Sequence, residues 1–329
     1  MTHIPNEKRY EGMEYRRSGR SGLRLPAVSL GAWETFGGYR GEDVARESLY
    51  AAFDLGITHF DLANNYGTPP GNAEVVCGKV IKDLPRDELI ISSKAGYYMW
   101  PGPYGEWGSK KYLIASCDQS LKRMGLEYFD IFYHHRPDPN TPLEETLGAL
   151  KLLIDQGKAL YAGISNYSGV QFAEAVRVAE RLGLTLTIHQ PRYNMLDRRP
   201  ETDLFPLTEA AGVGVIAFSP LASGLLSDKY LNGIPDNSRA AEKWGREWVE
   251  KNLNERRLEA LRGLNDLARE RGQTLAQLAL AWGLRKPAVT SVLIGASSVQ
   301  QVRENVAALD NLAFTEDELA RIDTLLAGA

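Results

Sequence analysis

Cysteine is nearly absent from this sequence, with two residues in 329, Cys77 and Cys117. Two scattered cysteines build neither a disulfide framework nor a CxxC metal site. There is no HExxH, and the five histidines do not cluster with cysteine, so the common metal-binding spacings are excluded. No apolar run approaches the ~18 residues that a membrane-spanning helix needs. The opening Met1–Lys8 lacks the apolar centre of a secretory leader, and a cytoplasmic location without a membrane partner is the expectation. Positive charge is not in excess: Lys and Arg number 38 against 42 Asp and Glu, a net charge of −4, which argues against a nucleic-acid partner. No GxGxxG follows a strand-like run, which removes the Rossmann route to a dinucleotide. No low-complexity linker divides the chain, and residues 1–329 are expected to form one domain.

The remainder is ordinary globular composition, 43% hydrophobic and 24% charged. Glu14–Gly19 and Leu23–Pro26 flank the turn Arg20-Ser21-Gly22 and read as a β-hairpin. Eight short apolar runs follow: Val28–Gly31, Thr58–Asp61, Leu89–Ser93, Phe129–Tyr133, Ala159–Ile164, Thr187–His189, Val213–Phe218 and Ser291–Ile294. Helical spacing lies between them, over Glu42–Leu55, Asn72–Ile81, Lys110–Met124, Leu143–Gln156, Val170–Leu182, a short stretch near Asp203–Ala211, and Glu255–Arg271 with Leu275–Arg285. Val299–Leu309 and Glu316–Leu326 close the chain. Parallel strands need crossovers, and eight strand–helix repeats favour a closed (β/α)8 TIM barrel with an N-terminal hairpin over an open doubly wound sheet.

A barrel puts its chemistry at the C-terminal ends of the strands. Asp61, Lys94, His134 with His135, Ser165 with Asn166, Gln190, Ser219 and Gly295 all fall there. Each alone has a plain structural explanation, such as a snorkelling lysine or a packed histidine; their coincidence on one rim does not. Asp61, Tyr66, Lys94 and His135 around one point would suit proton transfer to a developing alkoxide. A phenol at its usual pKa of ~10 holds its proton tightly, and a neighbouring ammonium lowers that value. Asp61 would hold Lys94 charged, and His135 would orient a carbonyl oxygen. No side chain donates hydride, so a nicotinamide cofactor is implied. Ile294-Gly295-Ala296-Ser297-Ser298, directly before a helix, offers N–H groups to a cofactor phosphate, or is simply a serine N-cap.

Phe60-Asp61-Leu62-Ala63-Asn64-Asn65-Tyr66-Gly67, Ser93-Lys94, Gly163–Tyr167, Phe218–Leu221 and Gly295–Ser297 together resemble the aldo-keto reductase superfamily, over nearly the whole chain. Met99–Gly105 and Asp118–Met124 resemble a bacterial subgroup acting on L-glyceraldehyde 3-phosphate, itself similar to potassium-channel β subunits. The resemblance implies a catalytic tetrad of Asp61, Tyr66, Lys94 and His135, with Tyr66 as proton donor. It implies that Ser165, Asn166 and Gln190 hold the carboxamide and that Phe218, where many members carry Tyr or Trp, stacks on the nicotinamide. Gly31, Ala32 and Trp33 would line the cofactor and substrate mouth. Ser219, Leu221, Gly224, Lys229 and Arg239 would meet the pyrophosphate and 2′-phosphate. Gly295, Ser297, Gln301, Glu304 and Asn305 would meet the adenosine end. NADPH, a small aldehyde substrate (L-glyceraldehyde 3-phosphate first, methylglyoxal also) and a homo-oligomer, tetramer or octamer, follow from the same likeness.

The long loop Tyr97–Gly108 carries Tyr97, Tyr98, Trp100, Tyr104 and Trp107 and should cover the barrel mouth. It ends at Ser109-Lys110-Lys111, where a capped helix start and Lys110 or Lys111 could receive a substrate phosphate. Two other readings stay open. One is a regulatory cofactor-binding subunit of the channel-β type, which carries Asn where this chain has His135. The other is an aldolase using Lys94 as nucleophile, which Asp61 disfavours by keeping the lysine charged.

Overall fold

The structure, a computed structural model, describes residues 3–39, 41–235, 241 and 245–328. A two-stranded antiparallel hairpin, β1 (Tyr15–Arg17) and β2 (Arg24–Pro26), comes first. The alternation follows as β3 (Val28–Gly31), α1 (Glu42–Asp54), β4 (His59–Asp61), α2 (Asn72–Ile81), β5 (Ile90–Ala95), α3 (Lys110–Met124), β6 (Phe129–His134), α4 (Leu143–Asp155), β7 (Ala159–Ser165), α5 (Gly169–Leu182) and β8 (Leu186–Gln190). Then come α6 (Pro200–Asp203), α7 (Phe205–Ala211), β9 (Gly214–Phe218), α8 (Gly245–Asn252), α9 (Glu255–Glu270), α10 (Leu275–Leu284), β10 (Val289–Ile294), α11 (Val299–Val306) and α12 (Glu316–Leu326). Strands β3 to β10 pair in parallel and in chain order, and β10 returns to β3 to close the barrel. The expected (β/α)8 architecture and hairpin are both present.

Local chemistry explains where the helices start. Ser109 caps α3 by accepting from the Tyr112 N–H, and reciprocal capping boxes start α5 (Ser168/Gln171), α10 (Thr274/Gln277) and α12 (Thr315/Glu318). The hairpin seals the N-terminal end of the barrel. Leu23 and Leu25 pack with Ile131, Tyr133, Ile188, Ile216 and Leu293 of the barrel interior. Ser18 Oγ donates to the Thr187 carbonyl at 3.0 Å, and the Arg20 N–H to the Gly212 carbonyl at 2.9 Å.

Four of the eight strands, β5 to β8, run further toward the rim than their apolar patterns indicate. Lys94 and Ala95 pair with Tyr133 and His134, and Ser165 pairs with Gln190. Ladder hydrogen bonds do not depend on side-chain polarity, so Lys94, His134, Ser165 and Gln190 belong to the strands. The helix expected near Asp203–Ala211 is two, α6 and α7, divided at Leu204; Pro206 in the first turn of α7 has no N–H to continue a ladder from α6. Helix α8 has no counterpart among the expected elements. Among the described residues no helix is long and apolar enough to cross a membrane, and no cluster of His, Cys, Asp and Glu could hold a metal ion.

Candidate active site

Side chains alternate along a strand, so β4 turns both His59 and Asp61 to one face, and β5 does the same with Ser92 and Lys94. Asp61 pairs with Gly31 on one side and Ser92 on the other. Lys94 is wholly buried. Its Nζ donates to Asp61 Oδ2 at 2.5 Å, to the Leu62 carbonyl at 2.6 Å and to the Tyr66 hydroxyl at 3.4 Å. Asp61 Oδ1 accepts from Ser92 Oγ at 2.6 Å and from Gln190 Nε2 at 3.2 Å. A buried ion pair survives only when its remaining valences are satisfied, and here both partners are. Burial pulls the Lys94 ammonium below its ordinary value, and Asp61 opposes that pull.

Tyr66 stands half-buried over this pair, with Lys94 Nζ 4.9 Å from its ring centre. Its hydroxyl is raised well above 10, first by burial and then by the negative charge of Asp61. The expected lowering by the ammonium is therefore not what this site does: desolvation of a phenolate outweighs a charged lysine whose field the Asp61 carboxylate offsets. Tyr66 is a neutral phenol here. The His135 ring packs edge-on against Tyr66 at 5.9 Å and against Tyr97 at 4.6 Å. Burial, then Lys94, His134 and Arg136, hold it well below 6.5, so it is a neutral imidazole, and its Nδ1 is buried without a partner.

The carboxamide candidates are connected. Ser165 Oγ donates to the Gln190 carbonyl at 2.8 Å; Asn166 Nδ2 donates to Ser165 Oγ at 3.1 Å and to the His135 carbonyl at 2.9 Å. Asn166 adopts a left-handed φ of 63°, which Asn tolerates better than most residues. Gln190 turns its amide nitrogen to Asp61, so it ties these carboxamide candidates to the Asp61–Lys94 pair. Phe218 ends β9, and the chain then turns through left-handed Ser219, Ala222 and Ser223. The Ser219 carbonyl is anchored by Asn194 Nδ2 at 2.9 Å, Leu221 is half-buried, and Gly224 takes a φ of 93°. Lys229 lies in the short helical turn Asp228–Tyr230. Arg239 lies outside the described residues.

At the start of α11, Ser298 caps by accepting from the Gln301 N–H. Gln301 Oε1 in turn accepts from the Ser297 N–H at 2.8 Å and its Oγ at 3.1 Å, so this N–H is engaged within the loop. An added Cβ at Gly295 would meet nothing within 4 Å, leaving open space at the end of β10. Glu304 accepts from Gln300 Nε2 at 2.8 Å, and Asn305 is buried. Ala32 is buried beside Asp61, donating its N–H to the Asp61 carbonyl at 2.9 Å, and Trp33 is 49% exposed at the mouth.

The loop 97–108 is tied down at both ends. The Trp107 N–H donates to the Gly96 carbonyl, Arg136 ion-pairs with Glu106, and the Gly108 N–H donates to Asp138 at 2.9 Å. Trp100 packs on Tyr112 at 5.3 Å, and the Arg136 guanidinium lies over Trp107 at 3.8 Å. The α3 start differs from expectation: the Lys110 N–H already donates to the Glu145 carboxylate at 2.9 Å, so a side chain occupies the place foreseen for an outside anion. Lys110 and Lys111 are exposed, with Lys111 Nζ 5.2 Å from the Tyr104 ring centre. Sequence reasoning missed Ser92 and His59, whose roles depend on neighbouring strands. It also missed Glu74, which is wholly buried and accepts from Ser93 Oγ and Arg123 Nε at 2.6 Å each, bracing β5.

Known proteins carry a matching pattern. The Aldo/keto reductase family model matches residues 27–327. L-glyceraldehyde 3-phosphate reductase of Escherichia coli strain K12 is 54% identical over 99% of this chain and 96% of its own. A probable voltage-gated potassium channel subunit beta of Arabidopsis thaliana is 40% identical over 91% of this chain and 92% of its own. A family match spanning both the barrel and the Asp61–Lys94–Tyr66 cluster, with relatives aligned along almost their full length, puts this chain in the aldo/keto reductase family.

Proposed function

We propose that this protein reduces small aldehydes to alcohols with NADPH, and that L-glyceraldehyde 3-phosphate is its preferred substrate, with methylglyoxal a further one. Aldo/keto reductases are oxidoreductases that generally use NAD(P)H. The observation that carries the reading is Lys94 Nζ within donor reach of both Asp61 Oδ2 and the Tyr66 hydroxyl, beside a neutral His135. The donor set suits a nicotinamide: Ser165, Asn166 and Gln190 supply hydroxyl and amide groups for a carboxamide, and Phe218 supplies a flat face. The bound nicotinamide would supply the hydride.

The protein's own residues supply the rest. The neutral His135 donates a hydrogen bond to the aldehyde oxygen and orients it. Tyr66 keeps its proton until the oxygen becomes an alkoxide, which is far more basic than a phenolate, so even a raised phenol donates to it. The phenolate left behind faces Lys94, whose charge Asp61 maintains. Tyr97, packed edge-on against the His135 ring at 4.6 Å, would limit water beside it.

The substrate assignment draws on the 54% identical reductases and on the exposed ammonium groups of Lys110 and Lys111 beside the loop. Its test is kcat/KM for L-glyceraldehyde 3-phosphate against glyceraldehyde, each with NADPH. A preference of tenfold or more for the phosphorylated aldehyde is expected; a preference for glyceraldehyde would sink the phosphate assignment. The relatives named as channel subunits favour a second reading, a cofactor-binding regulatory subunit, and failure to turn over any aldehyde while binding NADPH would select it.

A further inference from the structure

Behind Asp61, away from the mouth, a line of polar side chains crosses the barrel interior. Ser92 Oγ donates to Asp61 Oδ1 at 2.6 Å. His59 Nε2 lies 3.0 Å from Ser92 Oγ, and His59 Nδ1 lies 2.9 Å from Ser29 Oγ. Ser29 Oγ lies 2.7 Å from Ser291 Oγ, which is 3.3 Å from the Ala27 carbonyl. Ser29, His59, Ser92 and Ser291 are all wholly buried.

The donors along this line can be assigned one by one. The Asp61 carboxylate, paired with Lys94, only accepts, so the single Ser92 proton goes to it. Ser92 Oγ must therefore accept from His59, which puts a proton on Nε2. Burial holds the His59 imidazole down to about 4, so the ring is neutral and its Nδ1 accepts. Ser29 donates to Nδ1, and Ser291 gives its one proton to Ser29 at 2.7 Å instead of to the Ala27 carbonyl at 3.3 Å, which already accepts from the Val292 N–H at 2.9 Å. Every O–H and N–H then points toward Asp61. The line ends at Ser291 inside the barrel and exposes no atom to water, so it orients and does not conduct protons. Burying four polar groups where apolar ones would pack costs stability, and the opposite wall of the same barrel carries Ile131, Ile188 and Ile216.

We propose that His59 is a positioning residue: as the neutral Nε2-protonated tautomer it locks Ser92 as donor to Asp61 and so holds Oδ2 on Lys94. The kinetic half of the test rests on the reductase reading above; the spectroscopic half does not.

In the full chain labelled with 15N-histidine, the His59 signal is identified by its loss in His59→Phe. At pH 7 it should show a neutral ring protonated at Nε2, with no titration down to about pH 5. An Nδ1-protonated ring or an imidazolium would overturn the proposal. His59→Phe should lower kcat for aldehyde reduction about tenfold or more, with KM and the cofactor Kd unchanged. His59→Gln, whose amide N–H can reach Ser92, should recover most of the loss. An unchanged kcat, a loss shared by KM and cofactor binding, or no recovery in a folded His59→Gln protein would each overturn it. Should His59→Phe fail to fold, Ser29→Ala serves: the Nδ1 resonance should move toward that of an unbonded acceptor, and an unmoved resonance would refute the chain. If the unmodified protein reduces no aldehyde, the functional reading fails, while the tautomer still decides the role of His59.

Discussion

Strands β10, β3, β4 and β5 face the barrel interior with Ser291, Ser29, His59 and Ser92, whereas β6, β8 and β9 face it with Ile131, Ile188 and Ile216. Both walls are fully buried, yet they do different work. The apolar wall, joined by Leu293 of β10, packs against Leu23 and Leu25 of the hairpin plug and gains stability from area removed from water. The polar wall must satisfy every buried group, and it spends its hydrogen bonds on one carboxylate at the rim. Stability and positioning are thus divided between opposite sides of one closed sheet.

The sharpest contrast comes from Tyr66→Phe against Ile216→Ala. Tyr66→Phe removes one hydroxyl above the polar wall and should cut kcat by about 10²–10⁴-fold, leaving NADPH affinity and Tm nearly unchanged. Steady-state kinetics with a fluorescence titration of NADPH measure this, and retained turnover would take Tyr66 out of the proton-donor role. Ile216→Ala, on the apolar wall, should destabilise the fold by about 2–5 kcal/mol with kcat within severalfold of the parent. Denaturant melts beside kinetics would break the division if kcat collapsed while stability held.

Arg239→Ala tests the cofactor preference instead of either wall. It should weaken NADPH binding about ten- to a hundredfold and leave NADH little changed, through loss of a contact to the 2′-phosphate. Equal losses for the two cofactors would reassign Arg239 to structure or to the pyrophosphate.

Acid should expose a smaller effect common to both sides of the sheet. Burial depresses His59 and His134 to about 4 and His189 to about 3. The unfolded chain therefore binds more protons than the folded one below about pH 6.5. Stability from these neutral rings is complete above that pH and is lost as pH falls toward 4. Tm should decline across this window, and His189→Leu should flatten the decline; an equal slope in that variant would remove His189 as a contributor.

Much of the architecture was legible locally. The short apolar runs at Phe129–Tyr133 and Ala159–Ile164 and the helical spacing between such runs needed no tertiary information to read. Helix α3 begins and ends where Ser109 and Gly125 dictate. The rim residues were legible as candidates because a barrel assigns strand ends to chemistry, and motif likeness then suggested roles for them. The short helix α8 was not legible, nor was the engagement of the α3 start by Glu145, which lies 35 residues further along the chain.

By itself the sequence determined the alternation of strands and helices, the family resemblance and the candidates for the reactive side chains, because periodicity, capping and motif are properties of neighbours along the chain. Only the tertiary structure decided the protonation state of Tyr66, the neutrality of His135 and the line from Ser291 to Asp61. These depend on burial and on contacts such as Ser29 to His59 and Ser29 to Ser291, which closure of the barrel creates between strands far apart in sequence.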